Sequence, residues 1–315
     1  MRKAFKIMDD KKAIAAFETI DKAMDYIKAV NNPDLSIKAV NLCKSVISLI
    51  ICTDYTYLYK PMPETWKEFF PVITVNELAD FGLNTTVKHT GKMSGMFSWS
   101  TTCRCNADCI KKIRFSYEKL GIDICNMKNA RKEIKKFIQN NPFSTDVLIC
   151  GFCFSDSQQD TFPSMTIGLE KNFIIFNNGV IHDDYIPVLN NLYFRGESFG
   201  DFASVNAVIN FYKLAAKNPL VRVTAWTKNL VFFYLAEKDG YKKPENFTLI
   251  FSSSYINKPA KIPEKVKHLV DKRFTVYTKE YAERYNVKIN CGARACLACL
   301  RCYASTCFDI AELLK

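Results

Sequence analysis

The chain has 315 residues, 48% of them hydrophobic and 24% charged, with 11 Gly and 11 Pro, which suits a folded protein of one large or two modest domains and leaves no room for low-complexity tracts. Lys and Arg exceed Asp and Glu by 44 − 32 = 12, so an acidic partner such as nucleic acid is open. The basic residues are spread along stretches such as RKEIKKFIQNN and KIPEKVKHLVDKR, which read as solvated helix faces rather than as a basic tail.

The first residues, MRKAFKIMDDKKAIAAF, carry scattered charge and no apolar core of a secretory signal. The longest apolar run, Ser45 to Cys52, is too short to span a bilayer and reads as a buried helix. The expectation is a cytoplasmic protein that no membrane holds. Thirteen cysteines in a reducing compartment then point to metal binding rather than to a disulfide framework.

In chain order, residues 1–60 are expected to be helical. Ile14, Phe17, Ile20, Met24 and Ile27 recur at spacings of three and four, and Asn32-Pro33-Asp34 opens a second helix. Pro61 and Pro63 break that pattern and mark a boundary at Tyr59 to Pro63. Residues 61–145 form an irregular cysteine-containing segment with helices over Asp108 to Leu120 and Met127 to Asn140, followed by a strand-like run, DVLICGFCFS. Residues 146–288 alternate strands and helices: a strand in NLYFRGESFGD, a helix in FASVNAVINFYKLAAKN, a strand in PLVRVTAWTKN, a helix over Leu230 to Lys238, then strands in FTLIFSSSY and RFTVYT. That rhythm predicts an α/β fold whose parallel strands form an open sheet or a full or partial barrel. Residues 289–315 hold a C-terminal cysteine cluster.

That last segment reads INCGARACLACLRCYASTC. Cys291, Cys296, Cys299 and Cys302 follow one another at short spacing with small residues between them. Zinc ribbons draw ligand pairs from separate segments, whereas overlapping C-x2-C-x2-C wraps one object tightly. An iron–sulfur cluster of the [4Fe–4S] type is the favoured occupant and zinc the alternative. Cys103, Cys105 and Cys109 form a second group that could make a three-point metal site. Cys150 and Cys153, if on a strand, would point to opposite faces and read as small core residues, as do Cys43 and Cys52 within helix pattern.

The stretches GKMSGMFSWSTTCRCNADC, YFRGESFGD, VTAWTKN, LIFSSSYINKP and FTVYTKEYAERYNVKINCGARACLACLRCY resemble a family of phage and prophage proteins related to mycobacteriophage gene product eighty-eight. The resemblance runs from about Lys92 to Tyr303 and is most specific from Phe274 to Tyr303. It implies a cysteine-rich segment, a β-α-β core like the barrels of radical S-adenosylmethionine enzymes and a C-terminal cysteine cluster; it implies no established reaction. Cys103, Cys105, Cys109, Cys291, Cys296, Cys299 and Cys302 match its cysteines. Cys125 also matches, while Lys128 and Asn129 stand where the family has Cys and Tyr.

Ligands of parallel α/β domains bind beyond the carboxyl ends of the strands. Those ends would present Arg195, Glu197, Asp201 and Lys228 as catalytic candidates. Arg195 and Lys228 would clamp an anion; Glu197 or Asp201 would take a proton or bind a ribose hydroxyl. Asp201 could instead cap the next helix. Ser252 and Ser253 would contact a cofactor such as S-adenosylmethionine. Trp226 reads as core. No phosphate loop of the G-x-x-x-x-G-K-[ST] kind and no metal-ligand spacing of the three histidines is present. The functional expectation is a metal-binding, iron–sulfur protein of phage type acting on an anionic or nucleotide-like substrate; the alternative is a metal-stapled module that binds nucleic acid or a host protein.

Overall fold

The parallel sheet grows from runs whose buried positions alternate or fill both faces. A computed structural model describes residues 3–9, 12–17, 21–25, 35–41, 86–87, 91–124, 127–305 and 309–314. Its main sheet contains β4 (Thr86–Val87), β5 (Phe97–Trp99), β6 (Tyr193–Gly196), β7 (Arg222–Thr227), β8 (Phe247–Ser252), β9 (Lys272–Tyr277) and β10 (Ile310–Leu313), lying side by side in chain order. β4 is antiparallel to β5, and the six strands from β5 to β10 are parallel.

The helices that pack here are α1 (Ala107–Glu118), α2 (Met127–Asn140), α3 (Phe154–Thr161), α4 (Pro163–Asn177), α5 (Val205–Lys217), α6 (Val231–Lys238), α7 (Lys279–Arg284) and the single turn α8 (Cys296–Cys299). α5 and α6 cross from β6 to β7 and from β7 to β8, as a parallel sheet requires. Ser204 starts α5, accepting a hydrogen bond from the Ala207 N–H. None of the helices is long and apolar enough to cross a membrane among the described residues.

One face of the sheet is covered by α4, α5 and α6 through an aromatic core. Trp99 packs on Phe176 with ring centroids 4.8 Å apart and edge-on to Phe194 and Phe211. Burial of each such ring contributes roughly 1.5–3 kcal/mol. Gly196 at the end of β6 is required by that packing. A Cβ there would stand 2.8 Å from the Phe211 ring and 3.2 Å from the Ala225 Cβ. A second core joins α1 and α2 to Val147 and Ile256.

Two expectations are corrected. The N-terminal part is mainly strand where described: β1 (Lys3–Asp9) pairs antiparallel with β2 (Lys12–Phe17) and β3 (Leu35–Asn41), and only residues 21–25 are helical, as expected there. Phe5 and Ile7, two apart, pack with Leu35 and Ile37 across β1 and β3, so a period of two overrides the apparent helical spacing. The run DVLICGFCFS is not a strand either; a 3-10 helix over Ile149–Phe152 leads into α3. The expected helix over Ser45 to Cys52, the boundary at Tyr59 to Pro63, and Cys43, Cys52, Cys125 and Cys307 lie outside the described residues.

Candidate metal centre

After α7 the chain leaves the sheet, crosses the face opposite the aromatic core and returns as β10. Cys291 forms a bridge beside Glu312 of β10, its N–H donating to the Ala311 carbonyl. The Cys296 N–H donates to the Lys92 carbonyl at 2.7 Å, just before β5. Thr224 of β7 donates to the Cys302 carbonyl at 3.4 Å, and Tyr303 sits edge-on to Tyr193 of β6. The segment from 290 to 303 is thereby laid across strands from both edges of the parallel sheet.

Its local geometry follows from spacing. Cys296 and Cys299 are one helical turn apart and so share a side of α8. Leu300, with φ of +50°, reverses the chain so that Cys302 comes back to the same pocket. Cys291, Cys296, Cys299 and Cys302 all line one cavity of about 40 Å³ together with Lys92, Met93, Arg195 and Trp226.

Burial and the neighbouring thiols push Cys302 up to about 12, while Arg195 works in the opposite direction. Burial raises Cys296 as well, again opposed by Arg195 and Lys92. Burial disfavours the Lys92 ammonium, yet its contacts hold its pKa above the ordinary lysine value. It donates to the Cys291 sulfur at 3.1 Å and to Glu312 at 3.0 Å. The Arg195 guanidinium lies over the Trp226 ring, 4.0 Å from its centroid, and its Nε is buried without a hydrogen-bond partner among the described residues. A soft, thiol-rich cavity with two cations and an unspent donor is chemically suited to a thiolate-bound, negatively charged metal group. Among the described residues no three His, Cys, Asp or Glu side chains converge tightly enough to hold a single ion as they lie.

The strand-end candidates separate. Arg195 belongs to the thiol pocket and not to a clamp with Lys228. Glu197 has φ of +52°, a strained position, and braces β5 by accepting from the Thr101 N–H at 3.1 Å and the Thr101 hydroxyl at 2.8 Å. Burial raises it to about 7, and its Oε1 has no partner among the described residues. Asp201 does not cap α5, which Ser204 does; it accepts from the Thr227 hydroxyl at 2.6 Å, the Lys228 N–H at 2.9 Å and the Phe202 N–H at 2.8 Å. Ser253 is spent on a turn, donating to the Tyr255 and Lys258 carbonyls and accepting from the Tyr255 N–H. Ser252 is buried at the end of β8.

The trio Cys103, Cys105 and Cys109 also divides. The Cys105 thiol contacts Glu170 of α4, a carboxyl that burial raises to about 7. Cys103 and Cys109 instead lie near Cys150 and Cys153, the pair the sequence had assigned to core. Sequence reasoning also missed Lys92, and Trp226 proves to be a platform under Arg195 rather than a core residue. The C-x2-C spacing was the available signal for Cys150 and Cys153. No family model, curated protein or solved structure matches this chain.

Proposed function

We propose that the chain is an iron–sulfur protein of phage type whose cluster is held by Cys291, Cys296, Cys299 and Cys302, and that it acts on an anionic substrate. One observation carries this reading: the four thiols share a single pocket with the cations of Lys92 and Arg195 and with the unpartnered Arg195 Nε. The short overlapping spacing of Cys296, Cys299 and Cys302 is the kind by which thiolates hold an iron–sulfur cluster.

A bound cluster would supply one-electron chemistry. The chain's own residues define what surrounds it. Lys92 donates to the Cys291 sulfur, an interaction of the kind that tunes a cluster's potential. Arg195, spread over Trp226, offers donors to an anionic group brought to the pocket. Met93 and Met96 add apolar lining.

Six parallel strands in chain order support the finer reading of a partial barrel of the radical S-adenosylmethionine kind. A nucleotide-like cofactor at its strand ends would meet Lys228 and the free Oε1 of Glu197, because Asp201 and Ser253 spend their polar atoms on the backbone.

Metal and sulfide analysis after purification without air, with the visible spectrum, tests the reading. The expected result is iron with matching sulfide that falls when Cys296→Ser and Cys299→Ser are introduced together. Iron content unchanged by that substitution would sink it.

A further inference from the structure

At the carboxyl ends of the strands, four further thiols come from two separate pieces of chain. Cys103 lies in the turn after β5 and Cys109 in the first turn of α1; Cys150 lies in the 3-10 helix over Ile149–Phe152 and Cys153 at its end. The Cys103 and Cys153 thiols are in contact with each other. Cys109 is within electrostatic reach of Cys103, Cys150 and Cys153, and Cys150 of Cys153. The Tyr117–Gly151 hydrogen bond holds α1, which carries Cys109, against the 3-10 helix that carries Cys150. Cys103 is buried and the other three are half-buried.

The backbone that carries them is fixed at several points. Asn106 accepts from the N–H groups of Asp108 and Cys109 and so sets the first turn of α1. The Tyr117 hydroxyl donates to the Gly151 carbonyl at 2.7 Å, and the Ile149 N–H donates to the Ser254 carbonyl at 2.9 Å beyond β8. Gly151 admits no side chain: a Cβ would stand 2.3 Å from Ile134 Cδ1 and 2.9 Å from the Ser116 hydroxyl. The buried Arg104, between the first cysteines, is paired with Asp156 and Asp160 of α3, which also pair with Arg131. Gln159 donates to the Cys103 sulfur at 3.5 Å.

A cation stands beside this group. Lys228, next in the chain after β7, lies within electrostatic reach of Cys109, Cys150, Cys153 and Asp201. Cys150 and Cys153 also pack against the core that joins α1 and α2, so the group is anchored as well as clustered. Two ligand pairs drawn from separate segments are the arrangement of closed, tetrathiolate metal sites.

We infer that Cys103, Cys109, Cys150 and Cys153 form a second thiolate metal centre, separate from the C-terminal pocket, with Lys228 offsetting part of its negative charge and Cys105 excluded. Binding of a divalent ion M²⁺ to four thiols gives the dianionic M(SR)₄ unit and releases four protons, as thiol ligands require. The centre would join the turn after β5 and the start of α1 to the 3-10 helix and the start of α3. Its donor chemistry takes zinc, which would draw the sulfurs inward, or an iron–sulfur group. The inference does not rest on the C-terminal assignment.

Zinc, iron and sulfide per full-length chain, measured after purification without air, provide the test. The double substitution Cys150→Ser, Cys153→Ser is expected to lose one zinc, or about four irons with matching sulfide, while keeping whatever Cys296 and Cys299 hold. Loss of zinc assigns the mononuclear centre, and loss of iron with sulfide assigns the cluster. Unchanged metal in that folded variant overturns the inference. In case it does not fold, the reverse variant, Cys296→Ser with Cys299→Ser, leaves the strand-end thiols intact. It is expected to retain one metal centre, and a folded protein of this kind without metal also overturns the inference. Failure of the C-terminal reading alone would show as iron unchanged in the second variant, so the two outcomes are distinguishable.

Discussion

Arg195 lies flat over Trp226, its guanidinium carbon 4.0 Å from the ring centroid, with both residues lining the pocket of the C-terminal thiols. The stacking sets the position of a cation that opposes the burial penalty on Cys296 and Cys302. Metal uptake requires those thiols to lose their protons. Without the arginine the thiolates are less favoured, so Arg195→Gln should move the midpoint of cobalt or iron uptake to higher pH, by about one unit. A pH titration of uptake by wild type and variant measures this; coincident curves would remove Arg195 from the metal site.

Glu197 gives a stability signature of the opposite kind from an ordinary surface carboxylate. Burial raises its pKa from the usual 4.5 to about 7, so the folded state holds a proton that the unfolded chain releases. Stability is then full below pH 4.5 and declines as pH rises towards 7, by on the order of 3 kcal/mol at most. Glu170 adds a decline in the same window. Urea unfolding at pH 5 and pH 8 should show wild type losing stability across that interval and Glu197→Gln losing less. Equal losses would mean that Glu197 does not hold the proton.

Asp201 is expected to act on stability. Asp201→Ala leaves the Thr227 hydroxyl and the N–H groups of Lys228 and Phe202 without their acceptor at a buried strand end, a loss of about 3 kcal/mol. Asp201→Asn, which keeps one acceptor oxygen, should lose less. A denaturation midpoint unmoved by Asp201→Ala would free the carboxylate for chemistry instead.

Gly196 tests the packing that sets the strand end. Gly196→Ala forces a methyl group against Phe211 and Ala225 and should cost about 1–3 kcal/mol in denaturant unfolding. A variant as stable as wild type would show that the Phe211 ring can shift away.

The central alternation from Tyr193 to Tyr277 was legible because its strands are rich in β-branched and aromatic residues and the helices between them have a clear apolar side. The C-terminal thiols were legible because their spacing is a local property. β5 was not: three residues, Phe97 to Trp99, are too few to display a period, and only pairing with β6 makes them a strand. The N-terminal stretch contains apolar residues that satisfy spacings of both two and three to four, and contacts between β1 and β3, distant in sequence, decide the matter. Cys150 and Cys153 pack against the core as their apolar context suggests, but the strand expected there is a 3-10 helix, whose three residues per turn align positions three apart where a strand would set them on opposite sides. Arg104 and its carboxylates come from segments more than fifty residues apart, a relation that no local pattern encodes.

Lys92 also bears on the order in which the molecule assembles. It meets Cys291 and Glu312 across 199 and 220 residues of chain, and closing so long a loop is entropically expensive until the intervening strands are in place. Loop-closure entropy therefore favours assembly of the sheet and its aromatic core before the C-terminal thiol segment docks on it. On that order the C-terminal thiols would meet solvent until docking closes their pocket, which makes them most open to oxidation before assembly is complete.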